Sequence, residues 1–219
     1  MRVLVSGGTG MVGRNLISNL PSKTYDILFP SRSEVNLLEK STIDDYLKAN
    51  KVELVIHCAG LVGGIAMNIA NQATSLNHNT LMGLNLINSS YENGVSKFIN
   101  LGSSCMYPKN LEKELSVDDL LTSKLEPTNE GYAVSKILVW KYLKFLTDDN
   151  FVGKTIIPCN LYGPYDNFDL KTAHLVPSAL VKAHNSSISG EEIEIWGSGN
   201  AKREFMYVED LVDFIVFFL

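Results

Sequence analysis

The first thirteen residues constrain the fold more than any other stretch. Gly7-Gly8-Thr9-Gly10-Met11-Val12-Gly13 satisfies both G-x-x-G-x-x-G and G-x-G-x-x-G. It follows a short apolar run over residues 2–6 that reads as a strand, and it opens a helical pattern over residues 11–20. In that setting glycines admit positive φ and let backbone approach a ligand closely, while bare N–H groups and the positive end of the helix dipole favour a pyrophosphate. The same spacing would also serve a tight turn. The strand before it and the helix after it favour a dinucleotide loop.

The alternation continues along the chain. Strands are expected at 2–6, 25–29, 54–58, 97–101 and 154–157, and helices at 11–20, 42–48 with Ser41 as N-cap, 77–93 and 130–146. Five strand–helix units predict an α/β fold, a Rossmann-like doubly wound parallel sheet with helices on both faces. Its ligand site belongs outside the carboxyl ends of the strands, where the glycine loop, Ser103 and Asn160 all fall. Residues 1–165 are read as the dinucleotide-binding domain. From 166 to 219 the pattern loosens: turn types at 165–173, a helix over 174–184, a strand over 192–195 and an amphipathic helix opening at Val208. This is read as a partial substrate-binding lobe. The chain stops at Phe217-Phe218-Leu219 without a capping residue, and a longer protein cut at this point is expected.

Composition narrows the class. With 219 residues, 45% hydrophobic and 20% charged, the chain can bury a full core without disulfide staples. A net charge of −5 argues against a nucleic-acid or anionic-membrane surface, while leaving room for a local basic pocket that holds a phosphate. Cys58, Cys105 and Cys159 lack the spacing of a zinc or redox motif, and no metal is expected. A reducing, cytoplasmic setting follows, with no targeting or membrane segment.

Two segments carry the chemistry: Gly102-Ser103-Ser104-Cys105-Met106-Tyr107-Pro108 and Gly131-Tyr132-Ala133-Val134-Ser135-Lys136. On a helix Tyr132 and Lys136 stand one turn apart, so the ammonium is expected to lower the pKa of the phenol. Ser103 would bind a reacting carbonyl, Tyr132 would protonate its oxygen as hydride arrives, and Lys136 would hold a nicotinamide ribose. Tyr107 would replace Tyr132 if the second segment were a loop. At the end of the second strand the chain reads Phe29-Pro30-Ser31-Arg32-Ser33, with no carboxylate to meet a ribose 2′-hydroxyl. Arg32 points to NADPH, the alternative being an ordinary solvated arginine.

The glycine loop with Tyr-x-x-x-Lys resembles the extended short-chain dehydrogenases/reductases. Further segments are similar to the members of that family that carry out NADPH-dependent 3,5-epimerisation and 4-reduction of GDP-4-keto-6-deoxy-mannose. They are Val62-Gly63-Gly64-Ile65, residues 102–108, Leu125-Glu126-Pro127-Thr128-Asn129-Glu130, Asn160 to Phe168, and Trp196-Gly197-Ser198-Gly199 running to Arg203-Glu204-Phe205. The resemblance covers essentially the whole chain, and relatives continue beyond Leu219. It implies that Cys105 and His174 act as base and acid in epimerisation, with reference pKa values of about 8.5 and 6.5. It also implies that Leu101, Gly102, Ser103 and Ser104, together with Pro158, Cys159, Asn160, Leu161 and His174, contact NADPH. Lys182, Trp196 and Arg203 would hold the nucleotide-diphosphate sugar.

Other readings share these residues. A nucleotide-sugar 4-epimerase or 4,6-dehydratase would keep Tyr132 and Lys136, though Cys105 and His174 speak against it. A truncated cofactor-binding protein with little turnover is a further alternative. His57 reads as core, His78 and His184 as surface, and Cys58 and Cys159 as packing thiols. The apolar helix surface from Ile137 to Leu146 predicts a homodimer through this helix and 77–93, unless that surface packs within the chain.

Overall fold

The computed structural model describes residues 1–195, 197–200 and 202–219. Five strands form one sheet: β1 (Arg2–Ser6), β2 (Asp26–Leu28), β3 (Leu54–His57), β4 (Lys97–Leu101) and β5 (Val152–Ile156). Their order is β2-β1-β3-β4-β5 and every pair is parallel. A parallel sheet needs both faces covered, and the sequence supplies the cover between strands. These connections are α1 (Met11–Asn19), α2 (Lys40–Asn50), α3 (Ile65–Ala70), α4 (Gln72–Glu92) and α5 (Glu130–Leu146).

Alternation along β1 separates two cores. Leu4 faces Ile43 and Leu47 of α2, Leu86 and Ile87 of α4, and Val139 and Leu143 of α5. Val3 and Val5 face Leu16 of α1. On that second side the cover is completed by Leu211, Val212 and Ile215, which belong to the C-terminal helix. Gly83 of α4 lets α5 come close: a Cβ there would meet Val139 at 2.5 Å.

After the sheet the chain adds β6 (Asn160–Tyr162), α6 (Leu175–Ser189), β7 (Phe205–Tyr207) and α7 (Val208–Phe218), with β6 and β7 paired in parallel. Two expectations fail here. Residues 192–195 form no strand. Asn160 instead pairs with Phe205, so β7 takes the place beside β6, and Glu194 uses its carbonyl to accept from Lys182 Nζ at 2.8 Å. Ser41 does not cap α2 either. The helix begins at Lys40, flanked by Glu39, and the hydroxyl that folds back is that of Thr42, which donates to the Glu39 carbonyl at 2.9 Å. α4 starts at Gln72, ahead of the expected Asn77, and is preceded by the unexpected α3. No helix among the described residues is long and apolar enough to cross a membrane.

Candidate active site

The sheet brings the carboxyl ends of β1, β3 and β4 side by side, and each is followed by a loop that carries part of the site. At β1, Gly7 takes φ +72° and Gly13 packs so tightly on Gly7 and Gly8 that a Cβ would collide with backbone. Gly10 differs. A Cβ there would meet only the Gly7 carbonyl, at an ordinary 3.5 Å, so folding alone does not demand glycine at this position. α1 starts behind Gly10 without a side-chain cap, leaving first-turn N–H groups facing that space. Open backbone donors in front of an uncapped helix suit a pyrophosphate. The loop therefore fits a dinucleotide.

Beyond β2, Arg32 is exposed. The nearest following carboxylate, Glu34, is taken up by the Ser31 N–H and hydroxyl at 2.8 and 2.7 Å. The Ser31 backbone bond, with the hydroxyl behind it, holds that carboxyl below its usual range. At β3, His57 Nδ1 lies 2.7 Å from the Ser6 hydroxyl, and burial pushes the imidazole down to about 3. It is a neutral core histidine. Burial likewise pushes the Cys58 thiol up to about 12.

The reactive groups gather after β4. The loop is anchored by Gly102 and Ser104, whose N–H groups donate to the Ile156 and Pro158 carbonyls at 2.8 and 3.1 Å. This sets 101–104 against 158–161. Ser103 precedes a short 3-10 turn over Ser104–Met106, and its hydroxyl accepts from the Cys105 N–H at 3.3 Å. The same hydroxyl lies close enough to Tyr132 to act on its phenol. Tyr132 and Lys136 are both buried on α5. Lys136 Nζ donates to the Leu101 carbonyl at 2.9 Å and stands 5.6 Å from the Tyr132 ring centre. Hydroxyl, phenol and amine therefore stand together as expected, and Tyr107 does not replace Tyr132.

Their electrostatics correct one expectation. Lys136 does not lower the Tyr132 phenol here. Burial raises it, the charge that Cys105 can carry adds to the rise, and the Ser103 hydroxyl only partly opposes them. Burial also brings the Lys136 ammonium down to about 8. A phenol raised in this way is a proton donor across the neutral range rather than a base.

The segment after β6 supplies the remaining residues. His174 flanks the start of α6 and is exposed. Its approach is set by Thr172, whose carbonyl accepts from the Gly64 N–H at 3.0 Å, and a Cβ on Gly64 would press on the Ala173 carbonyl at 2.9 Å. Gly64 thus lets the segment before His174 dock against the loop that follows β3. Lys182 lies on α6, while Arg203 is exposed just before β7 and donates to the Lys202 carbonyl at 2.8 Å. Trp196 lies outside the described residues. A cavity of about 230 Å³ bounded by Tyr162, Asp166, Phe168, Pro177, Leu180 and Tyr207 includes none of the reactive groups.

A family model described as NAD dependent epimerase/dehydratase matches residues 3–219. The chain belongs to this family. It is an epimerase/dehydratase-type enzyme by membership, and its relatives narrow the class. A GDP-L-colitose synthase from Yersinia pseudotuberculosis is 47% identical over 99% of this chain and 71% of that protein. A GDP-L-fucose synthase from Azorhizobium caulinodans is 41% identical over 98% of this chain and 70% of that one. Among solved structures, a GDP-D-glycero-L-gluco-heptose synthase from Campylobacter jejuni, determined in the presence of NADPH, superposes with a TM-score of 0.89 at 26% identity. That match covers 99% of this chain and 73% of the other.

Two residues of this epimerase/dehydratase carry no role in the sequence reading, one touching the reactive cluster and one holding a loop beside it. Asn129 Nδ2 donates to Cys105 Sγ at 3.0 Å. Asn79, buried on α4, accepts from the Leu61 N–H at 2.7 Å and donates to the Leu61 carbonyl at 3.0 Å, holding the loop after β3. A Cβ on Gly60 in that loop would lie 3.9 Å from Lys136 Nζ. An asparagine beside a proline-containing turn looks like turn chemistry in a sequence, so the role of Asn129 was not legible there.

Proposed function

We propose that this chain catalyses NADPH-dependent 3,5-epimerisation and 4-reduction of GDP-4-keto-6-deoxy-mannose to GDP-L-fucose. The carrying observation is Cys105 beside Ser103, whose hydroxyl accepts from the Cys105 N–H at 3.3 Å, and close enough to Tyr132 for its charge to act on the phenol, since a dehydrogenase site alone has no use for a thiol there. Epimerisation requires a group that takes a proton from the carbon beside the carbonyl and another that returns one on the opposite face. Cys105 Sγ takes the proton, and the electron pair moves into the enolate. His174 delivers the new proton, at carbon 3 and then at carbon 5.

Ser103 and Tyr132 donate hydrogen bonds to the enolate oxygen, which is where charge develops. NADPH, when bound, supplies the hydride to carbon 4. Tyr132, kept protonated by burial, then gives its proton to the same oxygen. Lys136 holds the nicotinamide ribose from beside Leu101, and residues 158–161 line the same side. Gly7 to Gly13 take the pyrophosphate and Arg32 the 2′-phosphate. In this reading residues 1–165 bind the cofactor. Residues 166–219 bring Lys182, Trp196 and Arg203 to the GDP-sugar, with Arg203 suited to the diphosphate.

A second reading has its own support in the 47% identical GDP-L-colitose synthase. Colitose is fucose without its 3-hydroxyl, so the matching ketone would need proton transfer only at carbon 5. The two are separated by offering GDP-4-keto-6-deoxy-mannose and its 3-deoxy analogue with NADPH, and following cofactor oxidation and the sugar formed. The first substrate is expected to turn over with the higher kcat/KM. Tyr132→Phe is expected to lose about 10²–10⁴-fold, the usual weight of a positioned proton donor. Preference for the 3-deoxy substrate would establish the second reading, and turnover of neither would overturn both.

A further inference from the structure

Asn129 stands at the N-cap of α5, with φ −138° and ψ 22°. Asparagine is among the residues most used there, because its side-chain oxygen can satisfy a first-turn N–H of its own helix. Asn129 does not do this. The Gly131 N–H is met from another helix, by Gln72 Oε1 at 2.6 Å, while Gln72 Nε2 donates to the Pro127 carbonyl at 2.5 Å. One glutamine at the start of α4 therefore caps α5 and pins the turn before it. Gly131 is required for this contact, since a Cβ would run into the Gln72 backbone.

Released from capping, the Asn129 amide points the other way and donates to Cys105 Sγ at 3.0 Å. Its Oδ1 is buried without a partner. A buried amide that leaves its carbonyl unsatisfied is costly, and one placed only for stability would not be arranged so. The Cys105 backbone is held separately, by the Ser103 hydroxyl that accepts from its N–H.

We propose that Asn129 is the positioning residue of Cys105: its amide fixes the sulfur where it meets the substrate carbon and supports the sulfur as an anion, and Gln72 frees it to do so. This rests on the reading of Cys105 as the proton-transfer base. A donor aimed at sulfur favours the species that removes protons, because an N–H bond to a charged group is worth more than one to a neutral group.

The test uses Asn129→Leu, which removes the donor at similar volume, and Asn129→Asp, which keeps the shape, with NADPH binding as the check that each has folded. Two readouts are taken. One is the rate of Cys105 alkylation by iodoacetamide across pH, followed on the Cys105 peptide by mass spectrometry. The other is deuterium incorporation from D2O into the sugar. Both variants are expected to slow alkylation at neutral pH and to shift its rise to higher pH. They are also expected to lower the kcat for incorporation on the order of tenfold, the factor that a hydrogen bond to a charged group carries, with KM little changed.

Unchanged alkylation profiles in both folded variants would overturn the proposal, whatever happens to turnover. Incorporation that survives Cys105→Ala would instead overturn the underlying reading of Cys105, while the alkylation readout would still decide whether Asn129 sets its reactivity.

Discussion

Two glycines three residues apart in the nucleotide loop are required for opposite reasons. At Gly13 a Cβ would strike the Gly7 carbonyl, so Gly13→Ala is expected to lose stability on the scale of overpacking, about 1–3 kcal/mol, seen as a lower urea midpoint. At Gly10 the nearest atom is 3.5 Å away and the backbone is extended, so Gly10→Ala is expected to unfold at nearly the wild-type midpoint. It should nevertheless bind NADPH about tenfold more weakly, a loss of roughly 1.4 kcal/mol, as a methyl group enters the space in front of the uncapped helix. Titration of nicotinamide fluorescence beside the urea curve separates the two effects. Both glycines were legible in the sequence as one motif. Their division of labour was not, because the motif records the residue type and not what surrounds it.

At the scale of elements, the sequence was read most faithfully where local pattern and tertiary packing agree. β1, β4 and α5 have the expected bounds, since a buried strand and a long helix against the sheet each show one strong period. Errors fall where packing across elements decides. The start of α2 is set by Glu39 and Thr42 rather than by Ser41, and residues 192–195 alternate like a strand but have no strand to pair with. The Tyr132–Lys136 pairing was legible from helix spacing, but its electrostatics depend on burial that no spacing reveals. The pairing of β1 with β3 carries a pH signature of its own. His57 titrates at about 3 in the fold and near 6.5 when unfolded, so below pH 6.5 the unfolded chain takes up a proton that the fold refuses. Stability is expected to be full above 6.5 and to fall towards pH 3 at up to roughly 1.4 kcal/mol per pH unit from this one group. Urea unfolding from pH 7 to 4 should show that slope, and His57→Gln should flatten it. An equal slope in the variant would remove His57 as its source.

For the whole molecule, α5 hides much of the apolar surface that suggested association, since Ile137, Val139 and Leu143 are buried within the chain. Leu138 and Phe145, two turns apart, remain exposed at 39% and 79%, with Leu81 of α4 exposed at 39%. A homodimer through α4 and α5 is the expected state, and light scattering at micromolar concentration checks it. Leu138→Glu with Phe145→Glu should give a monomer, and a wild-type monomer would show that the outward face needs no partner. Whichever state is found, the proposed reaction has the same site do proton transfer and hydride transfer in sequence, using one oxygen, one phenol and one thiol. The most direct measurement is to run GDP-4-keto-6-deoxy-mannose with NADPH in D2O and locate the label in the product by NMR. The expected product is GDP-L-fucose carrying deuterium at carbons 3 and 5 and protium from the cofactor at carbon 4, with both deuterium labels lost in Cys105→Ala. A reduced sugar with protium at carbons 3 and 5 would contradict it, leaving a simple 4-ketoreductase.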